Sequence, residues 1–364
     1  MRYIRFLKLP RIVDGKNPAK AHIFCLISIT SDLGDSFLPY DVQLFTELCS
    51  EKGDGKFFIQ KTVQWTAVMR SLPIRIPLGG SQVVWPAVIR VGIEPSLSSD
   101  DFMKLCDKGS RGVVSAWSAP ISPSGGTRDA AKLVERRFAL SAQNKMFILE
   151  ETGESIARHL WDAGIALSCY LGGLIDTPKE TPLAKIFQSP KDKRRLQILE
   201  LGTGCGMVGI SLAQIIERAD IITSDLPEAE EIFKLNMSKA ILGTGSTMKF
   251  RTIDWEESLP DLRIGSPSCA HCTQFDVIVA ADCTYNPDSS PALVKTISRL
   301  TECSPAAAVI LAMKVRHSSE SIIFDLMLEA GFIIETTSCL PLPGDDELGE
   351  ENVEVFIFRR NSKS

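Results

Sequence analysis

The chain has 364 residues, 44% hydrophobic and 23% charged, the balance of a globular protein with a real core and room for one large domain or two ordinary ones. Its net charge of −5 argues against broad electrostatic binding of nucleic acid, and apolar runs such as 306–313 are far too short to cross a bilayer. Residues 1–10 carry Arg2, Arg5 and Lys8 but lack the apolar core and cleavage site of a secretory signal, so a cytoplasmic location, with the nucleus as a second, is expected.

From 21 to about 95 the pattern is short and strand-like. Residues 23–29 and 83–91 are rich in β-branched and aromatic side chains with Pro and Gly nearby, and 40–49 reads as one short helix. Residues 115–127, with Pro120, Pro123, Gly125 and Gly126, have the composition of a linker. The expected organisation is a smaller β-rich domain over 1–127, of unknown role or serving substrate recognition, and a second domain over 128–364.

After the linker, 137–149 reads as one or two strands. Residues 154–171 read as a helix with Ile156, Leu160, Leu167 and Leu171 near one face, stopped by Gly172-Gly173. A polar stretch, 177–195, ends in the basic run 191–195, read as a solvated loop ahead of a nucleic-acid or partner patch. Strands and helices then alternate: strands at 196–201, 220–224, 248–253, 275–280 and 306–312, and helices at 207–217, 227–240, 291–301 and 319–330. Gly331 caps the last helix. Two closing strands, 332–340 and 353–360, are joined too closely for a helical crossover and should be antiparallel. This is an α/β pattern: a Rossmann-like, mostly parallel seven-stranded sheet with a terminal antiparallel hairpin.

Glu200-Leu-Gly-Thr-Gly-Cys-Gly206 sits between the first strand and helix of this alternation. Gly202, Gly204 and Gly206 let a ligand lie against bare backbone, and the helix start beyond offers unpaired amides. Gly204-x-Gly206-x-x-Gly209 also fits the dinucleotide pattern, and a tight turn with no ligand gives the same glycines. Glu200 favours S-adenosylmethionine, because a carboxylate suits its amino-bearing sulfonium end and repels a pyrophosphate. Asp225 fits the ribose hydroxyls of either cofactor and also fits a helix cap before Leu226-Pro227.

Residues 154–164, 199–210, Thr223-Ser-Asp-Leu-Pro227, Asp254-Trp255 and Ala280-Ala-Asp-Cys-Thr-Tyr285 occur in register. Together they resemble the seven-β-strand protein-lysine methyltransferases of methyltransferase family 16, over roughly 133–360. The resemblance implies S-adenosylmethionine as cofactor, with Trp161 beside the glycine loop, Gly202, Thr203 and Gly204 at the methionine end, Asp225 at the ribose, and Glu200, Gly206 and Leu226 among the other cofactor-binding residues. Asp254 and Trp255 would bracket the adenine and Ala281 would supply a backbone contact. Read from residue type alone, Trp161 and Trp255 suit core packing equally. The Asp/Glu-x-x-Tyr/Phe motif matches Asp282-Cys-Thr-Tyr285. It implies Asp282 as anchor and proton acceptor for a lysine amine and Tyr285 as pocket wall and hydrogen-bond partner.

Methyl transfer is a direct displacement, so the protein mainly orients and desolvates its reactants. The expected activity is methylation of a lysine on a specific protein, such as a translation factor or chaperone. A small-molecule N-methyltransferase and a non-catalytic binding module are the alternatives. Cys269-Ala-His-Cys272 is half of a zinc site with no second pair nearby, so no metal is expected. The acidic run 345–351 reads as a solvated loop.

Overall fold

A computed structural model of the chain describes residues 1–15, 20–51, 56–107, 109–153, 155–176, 181–187, 194–260, 274–344 and 351–361. The half zinc motif at 269–272, Glu154, and nearly all of the acidic run 345–351 lie outside the described residues. The chain divides into two compact units. One comprises Met1–Ala139, Phe147–His159 and Leu342–Glu350; the other comprises Leu140–Met146, Leu160–Pro341 and Glu351–Ser364.

The chain thus passes between the units more than once, at 139/140, 146/147 and 159/160 and again around the segment Leu342–Glu350. The stretch expected to be a linker contributes the strand Ala116–Ser118, which is fully buried and pairs antiparallel with Ala87–Gly92 and Leu133–Ala139. Pro and Gly at 120–126 fall in the connection between this strand and Leu133–Ala139, within the same unit.

The first unit is built from two sheets. Arg2–Val13 and His22–Thr30 form the centre of one, between Leu72–Pro77 and Val113–Val114. The other runs in the order Lys145–Glu151, Leu133–Ala139, Ala116–Ser118, Ala87–Gly92, Val42–Ser50 and Phe57–Trp65. Ile4 and Ile27 from the first sheet and Leu44 and Ile89 from the second belong to one buried cluster. The helix expected over 40–49 is the strand Val42–Ser50, paired along its length with Phe57–Trp65 and Ala87–Gly92. Two-sided pairing and burial of alternate residues outweigh the weak local helix preference. The strand expected over 83–91 begins only at Ala87, because Pro86 has no N–H to give the ladder.

In the second unit the strands are β1 Leu196–Leu201, β2 Ala219–Asp225, β3 Thr247–Thr252, β4 Val277–Ala281, β5 Ala308–Met313, β6 Phe332–Pro341 and β7 Asn352–Arg360. Their order is β3-β2-β1-β4-β5-β7-β6, with β7 running against both neighbours and the β1–β5 pairings parallel. Residues of β5 are buried throughout, as expected of a parallel strand covered on both faces. The longer helices are α1 Asp162–Asp176, α2 Met207–Ile215, α3 Glu230–Lys239, α4 Ser290–Cys303 and α5 Ile322–Glu329, with a short helix Pro182–Phe187 between α1 and β1. The order reverses between β1 and β4, and the crevice beyond their carboxyl ends is where such sheets take ligands.

The amphipathic segment before the sheet differs from expectation at both ends. A 3-10 turn, Ile156–Arg158, precedes α1, and Gly172 and Gly173 lie inside the helix. Gly172 does not stop the helix; it admits a backbone. A Cβ there would stand 2.1 Å from the Leu140 carbonyl oxygen.

Candidate active site

The β1–α2 turn is set by backbone that only glycine adopts readily. Gly202, Gly204 and Gly206 have φ of 67°, 53° and 92°. At Gly202 a Cβ would lie 2.5 Å from Cys283 Sγ and 3.5 Å from the Trp255 ring. The first glycine thus forms a slot between the chain after β4 and the chain after β3. The slot is held from several sides: Thr203 N–H donates to the Ser224 carbonyl (2.9 Å), and Asn236 Nδ2 to the Cys205 carbonyl (2.8 Å).

Asp225 ends β2. Its carboxylate accepts from the amides of Gly204 and Leu226, each at 2.7 Å. Burial raises its pKa, against the pull of those two bonds. Leu226 is 39% exposed at the rim. Ile253 N–H donates to the Asp225 carbonyl (3.0 Å), which brings the ends of β2 and β3 together. Asp254 follows and accepts from the Glu256 amide (2.9 Å), fixing the turn that carries Trp255.

Glu200 is placed differently from the expectation. It lies beneath the loop, 2% exposed, and Oε2 accepts from Thr203 Oγ1 (2.5 Å) and the Gly209 amide (3.1 Å). Burial raises its pKa to about 7, opposed by those hydrogen bonds. It braces the loop from inside, and Thr203 spends its hydroxyl proton on it.

Beyond β4, Ala281 is followed by Asp282 in the left-handed region at φ 53°, with its N–H on the Ala312 carbonyl (2.9 Å). The Asp282 side chain is buried and already partnered. Oδ2 accepts from the Ala163 amide at the start of α1 (2.7 Å), and Oδ1 accepts from Arg316 Nη1 (2.8 Å). Tyr285 is 51% exposed, and burial followed by the charges of Cys283 and Asp225 raises its pKa. Trp161, just ahead of α1, has the Arg316 guanidinium 5.6 Å from its ring centroid. Gly164 packs against Met207 and Val208, so the start of α1 lies against the start of α2.

Burial drives the Cys283 thiol well above its ordinary pKa, and the charges of Asp225, Asp282 and Glu200 add to the rise. Of these three carboxyls, Glu200 faces inward to Thr203 and Gly209 and Asp282 is paired with Arg316, which leaves Asp225 at the glycine loop as the one placed to meet a ligand hydroxyl.

The structure thus brings Trp161, Glu200, the glycine loop, Asp225, Leu226, Asp254, Trp255, Ala281, Asp282 and Tyr285 to one edge of one sheet. Sequence reading missed Arg316 and Lys314. The available signal was their position: two cations directly after a fully buried strand, at the edge where such sheets bind ligands. Among the described residues no cluster of side chains could hold a metal ion.

A family model described as lysine methyltransferase matches residues 140–330. A UPF0665 family protein of Schizosaccharomyces pombe is 25% identical over 323 residues, covering 87% of this chain and 90% of its own length. A match of that length extends into the N-terminal unit. Protein-lysine N-methyltransferase EFM2 of Saccharomyces cerevisiae is 26% identical over 221 residues, 58% of this chain, which spans about half (51%) of EFM2. EEF1A lysine methyltransferase 3 of Mus musculus is 27% identical over 207 residues, 56% of this chain and 72% of its own length.

Proposed function

The chain belongs to the lysine methyltransferase family and uses S-adenosylmethionine to methylate protein lysine; from that premise we propose that its substrate is a folded translation factor, selected with the help of the N-terminal unit. The observation that carries this reading is the exposure of the rim. Tyr285, in the motif beyond β4, is 51% exposed, whereas a site for a small substrate encloses most of its ligand. A lysine projecting from a protein surface can reach such a rim. The name of the mouse relative, an EEF1A methyltransferase, supports a translation factor as the partner. The long match to the UPF0665 protein supports a shared task for the N-terminal unit. A cytoplasmic site of action belongs to the same proposal.

Bound at the glycine slot, S-adenosylmethionine supplies an activated methyl group on a sulfonium centre. The chain's residues hold and orient. The backbone of Gly202, Thr203 and Gly204 and the Trp161 ring would take the methionine end, Asp225 the ribose, and Asp254 and Trp255 the adenine side. A lysine amine, with a free pKa of about 10.4, must be neutral to attack. Tyr285 forms the wall against which it aligns, with its hydroxyl available to one amine hydrogen-bonding site. Asp282 serves from behind, by fixing the chain that carries Tyr285.

The test is radiolabelled methyl transfer by the full chain into purified translation elongation factor 1A, beside the same assay with Tyr285→Ala. Label on lysine of the factor, lost in the variant, is expected. Label confined to small molecules, or equal labelling by the variant, would overturn the reading.

A further inference from the structure

We propose that Arg316 is a positioning residue that sets Trp161 against the cofactor slot, acting together with Asp282. This rests on the reading that the slot at Gly202 holds S-adenosylmethionine. Three consecutive residues at the entry to α1 are each held by a separate contact from the ends of β4 and β5. The Trp161 ring has the Arg316 guanidinium 5.6 Å from its centroid. The Asp162 carboxylate, wholly buried, pairs with Lys314 Nζ at 2.8 Å. The Ala163 amide donates to Asp282 Oδ2 at 2.7 Å. Arg316 joins the first and third of these, because Nη1 also donates to Asp282 Oδ1 at 2.8 Å and to the Lys314 carbonyl at 3.3 Å.

The pair is desolvated, with side-chain exposures of 12% for Arg316 and 4% for Asp282. Breaking such a pair from one side leaves a buried charge without its counterpart, so the arrangement has little freedom to relax. A guanidinium attracted to a ring face also restricts how the ring tilts. Lysine can keep the charge pair with Asp282 but cannot present a planar group to tryptophan while doing so. Arg316 therefore links a carboxylate at the sheet's edge to the ring that precedes α1, whose start packs on Met207 and Val208 just past the glycine loop, and its effect should reach the cofactor through Trp161.

The experiment titrates S-adenosylmethionine into full-length wild type, Arg316→Met, Arg316→Lys, Trp161→Phe and the Arg316→Met/Trp161→Phe double variant by calorimetry. It records the Trp161 emission by difference from Trp161→Phe, and kcat and KM for methyl transfer. Arg316→Met should weaken cofactor binding at least tenfold, shift the Trp161 emission, and raise the cofactor KM by a larger factor than it lowers kcat. Arg316→Lys should recover part of the affinity and not the emission. In the Trp161→Phe background the Arg316→Met penalty should shrink below twofold. Equal affinity in wild type and Arg316→Met, or an undiminished penalty without Trp161, overturns the proposal. If Arg316→Met does not fold, Arg316→Lys decides: unchanged affinity and emission refute it. Failure of wild type to bind the cofactor would instead sink the underlying reading of the slot.

Discussion

Glu200 Oε2 lies 3.1 Å from the amide nitrogen of Gly209, and a Cβ added at Gly209 would stand 2.3 Å from that same oxygen. The third glycine of the loop pattern therefore serves close packing. It lets α2 settle on the end of β1 with a carboxylate between them, and the amide it exposes there is one the helix start would otherwise leave unpaired.

Glu200 ties this packing to pH. Its folded pKa, about 7, lies above the ordinary 4.5 because burial disfavours the charge. For a raised carboxyl the stabilising contribution is complete below about 4.5, falls as pH rises, and is lost above about 7. Between pH 4.5 and 8, wild type should lose about 3 kcal/mol relative to Glu200→Gln, read as denaturant unfolding at several pH values. Parallel profiles would refute it.

The same variant separates a brace from a ligand. Both hydrogen bonds to Glu200 fall on Oε2, so the single amide oxygen of glutamine can accept both. Glu200→Gln should keep cofactor affinity within about threefold, while Glu200→Ala, which leaves Gly209 N–H buried without an acceptor, should cost about 1–3 kcal/mol of stability and weaken binding. Calorimetric titration at pH 6 checks both. A large loss in Glu200→Gln would return the carboxylate to the role of a direct ligand.

Gly202→Ala meets two obstacles at once: a φ of 67° and a Cβ 2.5 Å from Cys283 Sγ. The left-handed backbone alone costs on the order of 1–3 kcal/mol for a non-glycine residue. Thermal unfolding should show that loss, and cofactor binding should fall at least tenfold. Adding Cys283→Ala would relieve the contact without relieving the backbone, so recovery should be partial.

Gly172→Ala sets helix propensity against packing. Alanine gains about 1 kcal/mol over glycine in a helix interior, but its Cβ would lie 2.1 Å from a backbone carbonyl oxygen at Leu140. Overpacking against atoms that cannot rotate away costs about 1–3 kcal/mol or more. Net destabilisation is expected in equilibrium unfolding; a stabilised variant would show that the close approach is not rigid.

Tyr285→Phe and Tyr285→Ala divide the hydroxyl from the ring. If the ring is the wall for the amine, alanine should lower kcat/KM by about 100-fold, or about 3 kcal/mol of transition-state stabilisation. Phenylalanine should lose less. Cofactor affinity should hold in both, since Tyr285 stands on the substrate side, and steady-state kinetics with calorimetry reads the split.

Local pattern was enough for much of this. The near-continuous apolar run of β5 announced a doubly covered parallel strand, the short link before β7 announced its reversal, and the glycines of 202–206 announced a strand-to-helix turn. Each signal lies within a few residues. The segment at 42–50 was not legible in this way, because its two-sided pairing partners lie at 57–65 and 87–92. The glycines at 172–173 misled for a similar reason: the carbonyl that requires Gly172 belongs to Leu140.

By itself the sequence determined the order of elements in the second unit, the cofactor loop and the set of acidic residues along the sheet's edge, because those follow from periodicity and residue type. Only the tertiary structure decided what each carboxylate does. Glu200 faces inward to Thr203 and Gly209, and Asp282 is held by Arg316 and the start of α1. Those partnerships depend on which strands lie side by side, and strand order in a sheet is set by packing across long sequence separations rather than by any local run of residues.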